Sequence, residues 1–145
     1  MKREIKFRGK RIDTGQWVYG SYHPHNKVLL CIASKEQVDA NRKALIIQDG
    51  MSDWNLSIPI NTHEVFPESV GEFTGLKGKN GKEIYEGAIC KYKDPKGYDS
   101  ELWEVIFYMG AFRLAALPSK IRIYDIGICY DIEVIGNIYE NPELI

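Results

Sequence analysis

Short apolar runs, alternating or continuous and broken every few residues by Gly, Pro, Asn or Asp, make up most of this chain and predict strands rather than helices. Residues 2–8 alternate, with Ile5 and Phe7 on one side and Glu4, Lys6 and Arg8 on the other, the pattern of a half-buried strand. Asp13-Thr14-Gly15 predicts a turn, and Gln16 to Tyr22 a second strand carrying Trp17, Tyr19 and Tyr22. The chain therefore opens with a β-hairpin region, and His23-Pro24-His25-Asn26 reads as the break that ends it. Lys27 to Ala33 is a continuous apolar run, the pattern of a strand buried on both faces. Ser34 and Gln37 have the spacing of a capping box and predict a short helix over 35–42, although Val38 is its only large apolar residue. Lys43 to Gln48 predicts another strand, ended by the turn signal Asp49-Gly50, and 51–55 a loop containing Trp54. Leu56 to Val65 alternates loosely, and Pro59, which cannot donate to a ladder, places that strand at an edge or a bulge.

The second half is organised around Asn80-Gly81. Flanked by Phe73 and Leu76 before and by Ile84, Tyr85, Ile89 and Tyr92 after, it predicts a hairpin with a two-residue type I′ loop, which needs φ > 0 at both positions. Gly87 lets the chain bend into a further apolar run, so this stretch reads as the hairpin and corner of a small β-barrel or sandwich. Asp94 to Gly97 is a polar loop. Leu102 to Tyr108 and Ala111 to Leu117 form a second hairpin about Met109-Gly110. Ile121, Ile123, Ile126 and Ile128 alternate in two pairs, and Ile132 to Tyr139 is the last strand, stopped by Asn141-Pro142. The expected fold is all-β, with at most one or two short helices, in two parts, 1–66 and 67–145, joined by the connector Glu64 to Ser69. A four-residue echo, Val70-Gly71-Glu72-Phe73 against Ile135-Gly136-Asn137-Ile138, suggests two close-packed spots where only Gly fits.

Composition narrows the function classes. At 145 residues with 44% apolar side chains, the chain is long enough for a core and too apolar for disorder. Nineteen Lys and Arg against twenty Asp and Glu leave a formal charge of −1, without the basic footprint of a dedicated nucleic-acid binder. No apolar run reaches the ~20 residues of a membrane span, and the N-terminus has no signal-peptide core. A cytoplasmic protein is expected. Cys31, Cys90 and Cys129 are odd in number, far apart and set in apolar runs, so they read as buried thiols rather than a disulfide framework or metal site.

Each candidate for chemistry meets a simpler reading. His23 and His25 could share a strand face as metal ligands do, but the intervening Pro24 and the lack of a ligand cluster, with only His63 as a third, make them turn residues. Gly75 to Lys82 resembles a phosphate loop, yet its spacing is one too long for the Walker pattern, Glu83 stands where Ser or Thr should hold Mg²⁺, and no helix follows. Lys77, Lys79 and Lys82 are then a solvated hairpin tip. With Arg8, Lys10 and Arg11, beside Lys2, Arg3 and Lys6, they are the best basic patch, and with Tyr85 and Tyr92 nearby they offer a second-choice groove for single-stranded nucleic acid. Cys90 sits between Ile89 and Lys91 on an expected strand, Cys31 and Cys129 have only apolar or aromatic neighbours in sequence, no hydrolase motif occurs, and the carboxylate pair Asp125/Asp131 is unspecific. No catalytic residue, metal or cofactor is expected. Nine Tyr, five Phe and three Trp are more aromatics than a β-fold of this size buries, and Tyr and Trp at wet surfaces suit protein interfaces.

Three blocks together resemble a known family: Arg3 to Gly20 (REIKFRGKRIDTGQWVYG), Val70 to Gly87 (VGEFTGLKGKNGKEIYEG) and Ile132 to Leu144 (IEVIGNIYENPEL). The chain is similar to the YopX-like proteins of bacteriophages and prophages. The likeness spans both ends and the middle but not residues 51–56 or 118–130, and Ala88 stands where the family usually has Asp after Glu-Gly. The resemblance implies an SH3-like barrel in the C-terminal part, a phage or prophage origin and a bacterial host cytoplasm. It implies no activity and no site residues. The expected function is a non-enzymatic protein-interaction or self-assembling module, a homo-oligomer, with a small-barrel nucleic-acid binder as the alternative.

Overall fold

The computed structural model describes residues 4–26, 34–40, 42–50, 59–93, 102–129 and 131–145. They divide into two compact units, Ile5–Gly71 and Glu72–Ile145, with Glu4 grouped with the second. The expected strand over 27–33, the loops over 51–55 and 94–97, and Cys31 lie outside the described residues.

In the N-terminal unit, β1 (Phe7–Lys10) and β2 (Trp17–Asn26) form the expected hairpin. Its turn is closed by backbone bonds from Gly15 to Arg11 (3.0 Å) and from Arg11 to Gln16 (2.8 Å). Strand pairing starts at Phe7, and Ile5 lies outside it, half exposed. Helix α1 (Lys35–Ala40) is short, and its capping box forms: the Gln37 amide donates to Ser34 Oγ (3.3 Å) and the Ser34 amide to Gln37 Oε1 (3.0 Å). It ends before the expected Arg42 because β3 (Arg42–Asp49) begins there. β4 (Ile60–Val65) follows Pro59, which keeps the proline out of the ladder, and a 3-10 turn over Pro67–Ser69 ends the unit. The antiparallel order is β4-β3-β2-β1.

One reading is corrected here. His23-Pro24-His25 does not break β2, which runs through Asn26. The first half of β2 pairs with β1, ending at Phe7↔Gly20, and the second half pairs with β3 from Ser21↔Ile47. Past Gly20, among the described residues of this unit, one side of β2 has no partner, and a proline without an N–H is tolerated there. The partner change needs Gly20: an added Cβ would sit 2.1 Å from the Ile47 carbonyl oxygen. The sheet curls enough that Arg11 bridges Val65, with bonds from Ile12 N to Glu64 O (3.1 Å) and from Phe66 N to Lys10 O (2.9 Å). Val18, Ala44, Ile46 and Val65 form its core, with Phe7, Tyr22 and Val70 against them.

The C-terminal unit takes in all but the first residue of β5 (Gly71–Lys77), which pairs with β6 (Glu83–Tyr85). β7 (Ala88–Lys91), β8 (Leu102–Tyr108), β9 (Ala111–Ala116), β10 (Ile123–Asp125) and β11 (Glu133–Asn137) form a five-stranded antiparallel sheet in the order β10-β9-β8-β7-β11. Its core gathers twelve buried side chains around Trp103, which is fully buried. The Trp103 indole N–H donates to the Tyr92 carbonyl (3.0 Å), and its ring meets Tyr92 edge-on and stacks on Tyr124. Cys90 and Cys129 are buried free thiols, as their apolar settings predicted. Of the isoleucines that alternate in two pairs, Ile123 lies in β10 and Ile126 is buried in a 3-10 turn, while Ile121 and Ile128 are exposed. The mainly β expectation with a short helix holds. The sheets are antiparallel and close no barrel, since β10 and β11 stand at opposite ends of the five-stranded sheet.

Candidate functional site

The Asn80-Gly81 hairpin exists, but not with the type I′ loop. Gly81 has φ +75°, whereas Asn80 is not in the left-handed region. Gly78 donates to Lys82 O (2.8 Å) and Gly81 to Gly78 O (2.9 Å), so the loop is the three residues Lys79, Asn80 and Gly81: a type I turn closed by a left-handed glycine. The reason is docking onto β11. Lys79 N donates to Ile132 O (2.8 Å) and Asn80 Nδ2 to Val134 O (3.1 Å), while Asn80 Oδ1 accepts from Lys82 N (3.4 Å). The tip thereby covers the start of an edge strand that would otherwise expose its backbone.

Of the lysines of this tip, Lys77 and Lys79 border a shallow cleft of about 340 Å³, lined by Leu76, Ile84, Ile126, Cys129 and Asp131 among others. Lys79 is exposed and its ammonium lies 2.9 Å from Glu133. The side-chain hydrogen bond and then the charge of Glu133 raise the Lys79 pKa, and the same bond lowers that of Glu133. Tyr85 and Tyr92, expected as stacking platforms beside these lysines, are both buried. The Tyr85 hydroxyl donates to Glu83 (2.7 Å), and Tyr92 belongs to the Trp103 core. The tip therefore presents cations without rings.

Arg8, Lys10 and Arg11 belong to the other unit. Arg11 is clamped by Asp13, Nε to Oδ1 at 2.8 Å and Nη2 to Oδ2 at 2.5 Å; that bond raises the Arg11 pKa and lowers that of Asp13. Arg8 and Lys10 stand elsewhere, on the face of β1 opposite the core. Register places Arg8 across from Tyr19 and Lys10 across from Trp17, and the Arg8 guanidinium lies 4.9 Å from the Trp17 ring centroid. These cations are legible in the sequence, whereas the rings beside them follow only from the strand register. Counting the Asp13-Thr14-Gly15 hairpin back from its turn would have found them. His23 and His25 are exposed on β2 with their rings 6.2 Å apart, and His63 is on β4. Among the described residues, no group of three or more His, Cys, Asp or Glu is arranged to hold a metal.

Two carboxylates of the C-terminal unit were not singled out from sequence. Glu104 on β8 is buried, and its carboxylate meets Lys120 at 2.6 Å. Nearby, desolvation raises the pKa of Glu86, opposed by a hydrogen bond from the Phe107 amide and assisted by the charge of Glu72 and then Glu104. Beside Glu86, the β8–β9 hairpin turns through Met109 (φ +49°) and Gly110 (φ +79°), with Tyr108 pairing Ala111. This is the type I′ loop that Asn80-Gly81 lacks. Phe107, Tyr108 and Met109 are exposed at 53%, 47% and 77% in succession.

The conspicuous C-terminal block is structural. An added Cβ at Gly136 would lie 2.3 Å from Asn141 Oδ1, which accepts from the Asn137 amide (3.2 Å). Asn137 Oδ1 in turn accepts from Tyr139 N (3.0 Å) and Glu140 N (2.9 Å). Glycine leaves room for one asparagine to hold another, and together they satisfy the backbone of the turn after β11. Ala88 is fully buried in the core. A family model described as YopX protein matches residues 6–145.

The chain belongs to the YopX family. No curated protein matches it. Among solved structures, this YopX-family chain is similar to protein EF1440 from Enterococcus faecalis, with 28% identity over 99% of each chain and a TM-score of 0.55. The three sequence blocks of the YopX likeness map onto the β1–β2 hairpin, the β5–β6 hairpin with its bend at Gly87, and the Asn137–Asn141 turn. No helix among the described residues is long and apolar enough to cross a membrane.

Proposed function

We propose that this YopX-family chain is a non-enzymatic, self-associating protein-interaction module of phage or prophage type, acting in the cytoplasm of a bacterial host. The observation that carries this reading is the β8–β9 tip. Type I′ loops favour Asn, Asp and Gly, which reach φ > 0 easily and keep the tip polar. Here a methionine takes φ +49° and follows two exposed aromatic residues. The left-handed conformation costs an L-residue about 1–2 kcal/mol, and exposed apolar surface gains nothing in the isolated chain. A partner that buries Phe107, Tyr108 and Met109 offsets both costs. Methionine and aromatics are the side chains enriched at such contacts. Phe107 is held edge-on by Phe112, centroids 5.2 Å apart, and by its amide bond to Glu86, so the tip is presented in a fixed form.

Sedimentation velocity of the wild type and of a Phe107→Ser/Met109→Asn variant tests this. The wild type should sediment as an oligomer that dissociates on dilution, and the variant as a monomer with unchanged circular dichroism. A wild-type monomer at high concentration, or an oligomer indifferent to both substitutions, counts against it.

A further inference from the structure

We infer that the Phe107–Met109 tip of one copy seats in the cleft beside the Lys77–Lys82 loop of a second copy, a head-to-tail contact; this rests on the self-association proposed above and names its receiving surface. The cleft, about 340 Å³, has the buried apolar side chains Ile84, Ile126, Cys129 and Ile132 at its base and the exposed Leu76 at its rim. An apolar cavity of about 150 Å³ already holds a benzene ring, so there is room for the Phe107 ring and the Met109 side chain together. Gly127 also lines the cleft, and an added Cβ there would meet nothing within 4 Å. A chain does not fill its own cleft. β11 begins at Glu133, which pairs with Lys91, and Lys91 pairs with Leu102, so the β11 side of the cleft stands level with the start of β8. The apolar tip stands at the other end of that strand, where Tyr108 pairs with Ala111. The seven residues of β8 set the two ends roughly 20 Å apart.

Charge agrees with this pairing. At the foot of the tip Glu86 accepts from the Phe107 amide, with Glu72 and Glu104 near enough to act on it, and of the three Glu104 is paired with Lys120. At the cleft, Lys77 and Lys79 stand on the rim, and Lys82 and Lys91 act on Glu133, so that cations outnumber the carboxylates Asp131 and Glu133. An apolar tip with an acidic foot thus matches an apolar cleft with a basic rim. A tip-to-tip contact would instead bring the Glu86 carboxylates of two copies together and leave both clefts empty. With the tip at one end of β8 and the cleft at the other, each added copy offers a fresh tip and a fresh cleft, and the assembly closes as a ring or grows as a filament.

Sedimentation velocity of two full-chain variants, alone and mixed, tests the contact. The tip variant Phe107→Ser/Met109→Asn keeps its cleft, and the cleft variant Leu76→Ser/Gly127→Gln keeps its tip. Leu76 is exposed and Gly127 has open space beside it, so the cleft changes spare the core, and unchanged circular dichroism confirms that both variants fold. Each variant alone should sediment as a monomer. An equimolar mixture should form a one-to-one dimer that grows no further, because the tip and the cleft left over are the altered ones. Lys77→Glu, added to the chain that supplies the cleft, should weaken that dimer by about two- to tenfold. A cleft variant that assembles like the wild type, a mixture that stays monomeric, or a dimer indifferent to Lys77→Glu would overturn the inference while leaving self-association through the tip standing. A wild-type monomer at high concentration would overturn both.

Discussion

The two units achieve stability by different means. The C-terminal unit buries twelve side chains around a hydrogen-bonded, ring-stacked tryptophan. Among its described residues the N-terminal unit has a core of four buried apolar side chains, and its sheet is so tight that the Gly20 backbone lies almost on that of Ile47 and the Gly9 backbone on the Val65 side chain. A large core tolerates irregular edges, such as a three-residue β10 and an apolar hairpin tip. In the N-terminal unit the described residues leave no such slack at Gly20 and Gly9, where strands approach closely. In the β1–β2 hairpin Phe7 and Val18 go inward, and Trp17 and Tyr19 stand as rings on the opposite face.

The largest expected effect probes the large core. Trp103→Ala should destabilise by about 3–5 kcal/mol, read as a lower denaturation midpoint at unchanged slope. Gly20→Ala should follow at about 1–3 kcal/mol, since the Cβ must displace strand backbone rather than a flexible side chain. If both substitutions shift one common transition, the units unfold together and the contrast is local; two separate transitions, each moved by its own substitution, would sharpen it. Met109→Asn should stabilise the isolated chain by up to about 1 kcal/mol by relieving the left-handed methionine, while weakening self-association.

The smallest effect is a pH dependence. Glu86 titrates above its ordinary value in the folded chain because burial disfavours its charge. Its contribution to stability is therefore fully present below the unfolded carboxylate value, about 4.3, and is lost as pH rises through the raised folded value. Glu86→Gln should stabilise the fold slightly at pH 7, by under about 1 kcal/mol since the group is half exposed and screened, seen as a small rise in melting temperature, with no difference near pH 4. A variant less stable at pH 7 would mean that the bond from the Phe107 amide outweighs desolvation.

What the sequence made legible was local. Ser34 with Gln37, Met109-Gly110 and the turn at Asp13-Thr14-Gly15 each act through residues a few positions apart, and each formed as expected. Asn80-Gly81 was legible as a hairpin but not as a turn type, because Ile132 and Val134, some fifty residues away, hold the asparagine. Pro24 misled for the same reason: a proline ends a strand only where its missing N–H is needed, and that depends on where β1 stops. The cations of the N-terminal face were visible, but their pairing with Trp17 and Tyr19 required a register. Tyr85 and Tyr92 looked equally suited until their burial was seen, since alternation does not say which face of a strand meets the core.

The grip on Asn80 has a bearing on chemical ageing. Asn-Gly is the dipeptide most prone to lose its side-chain amide, through attack of the glycine nitrogen on the asparagine carbonyl carbon to close a five-membered imide. Here that nitrogen is committed to Gly78, and the amide is held at both ends by Val134 and Lys82. Cyclisation would first have to lift the loop off β11, so the folded chain should keep an asparagine that the unfolded chain would slowly convert to aspartate and isoaspartate.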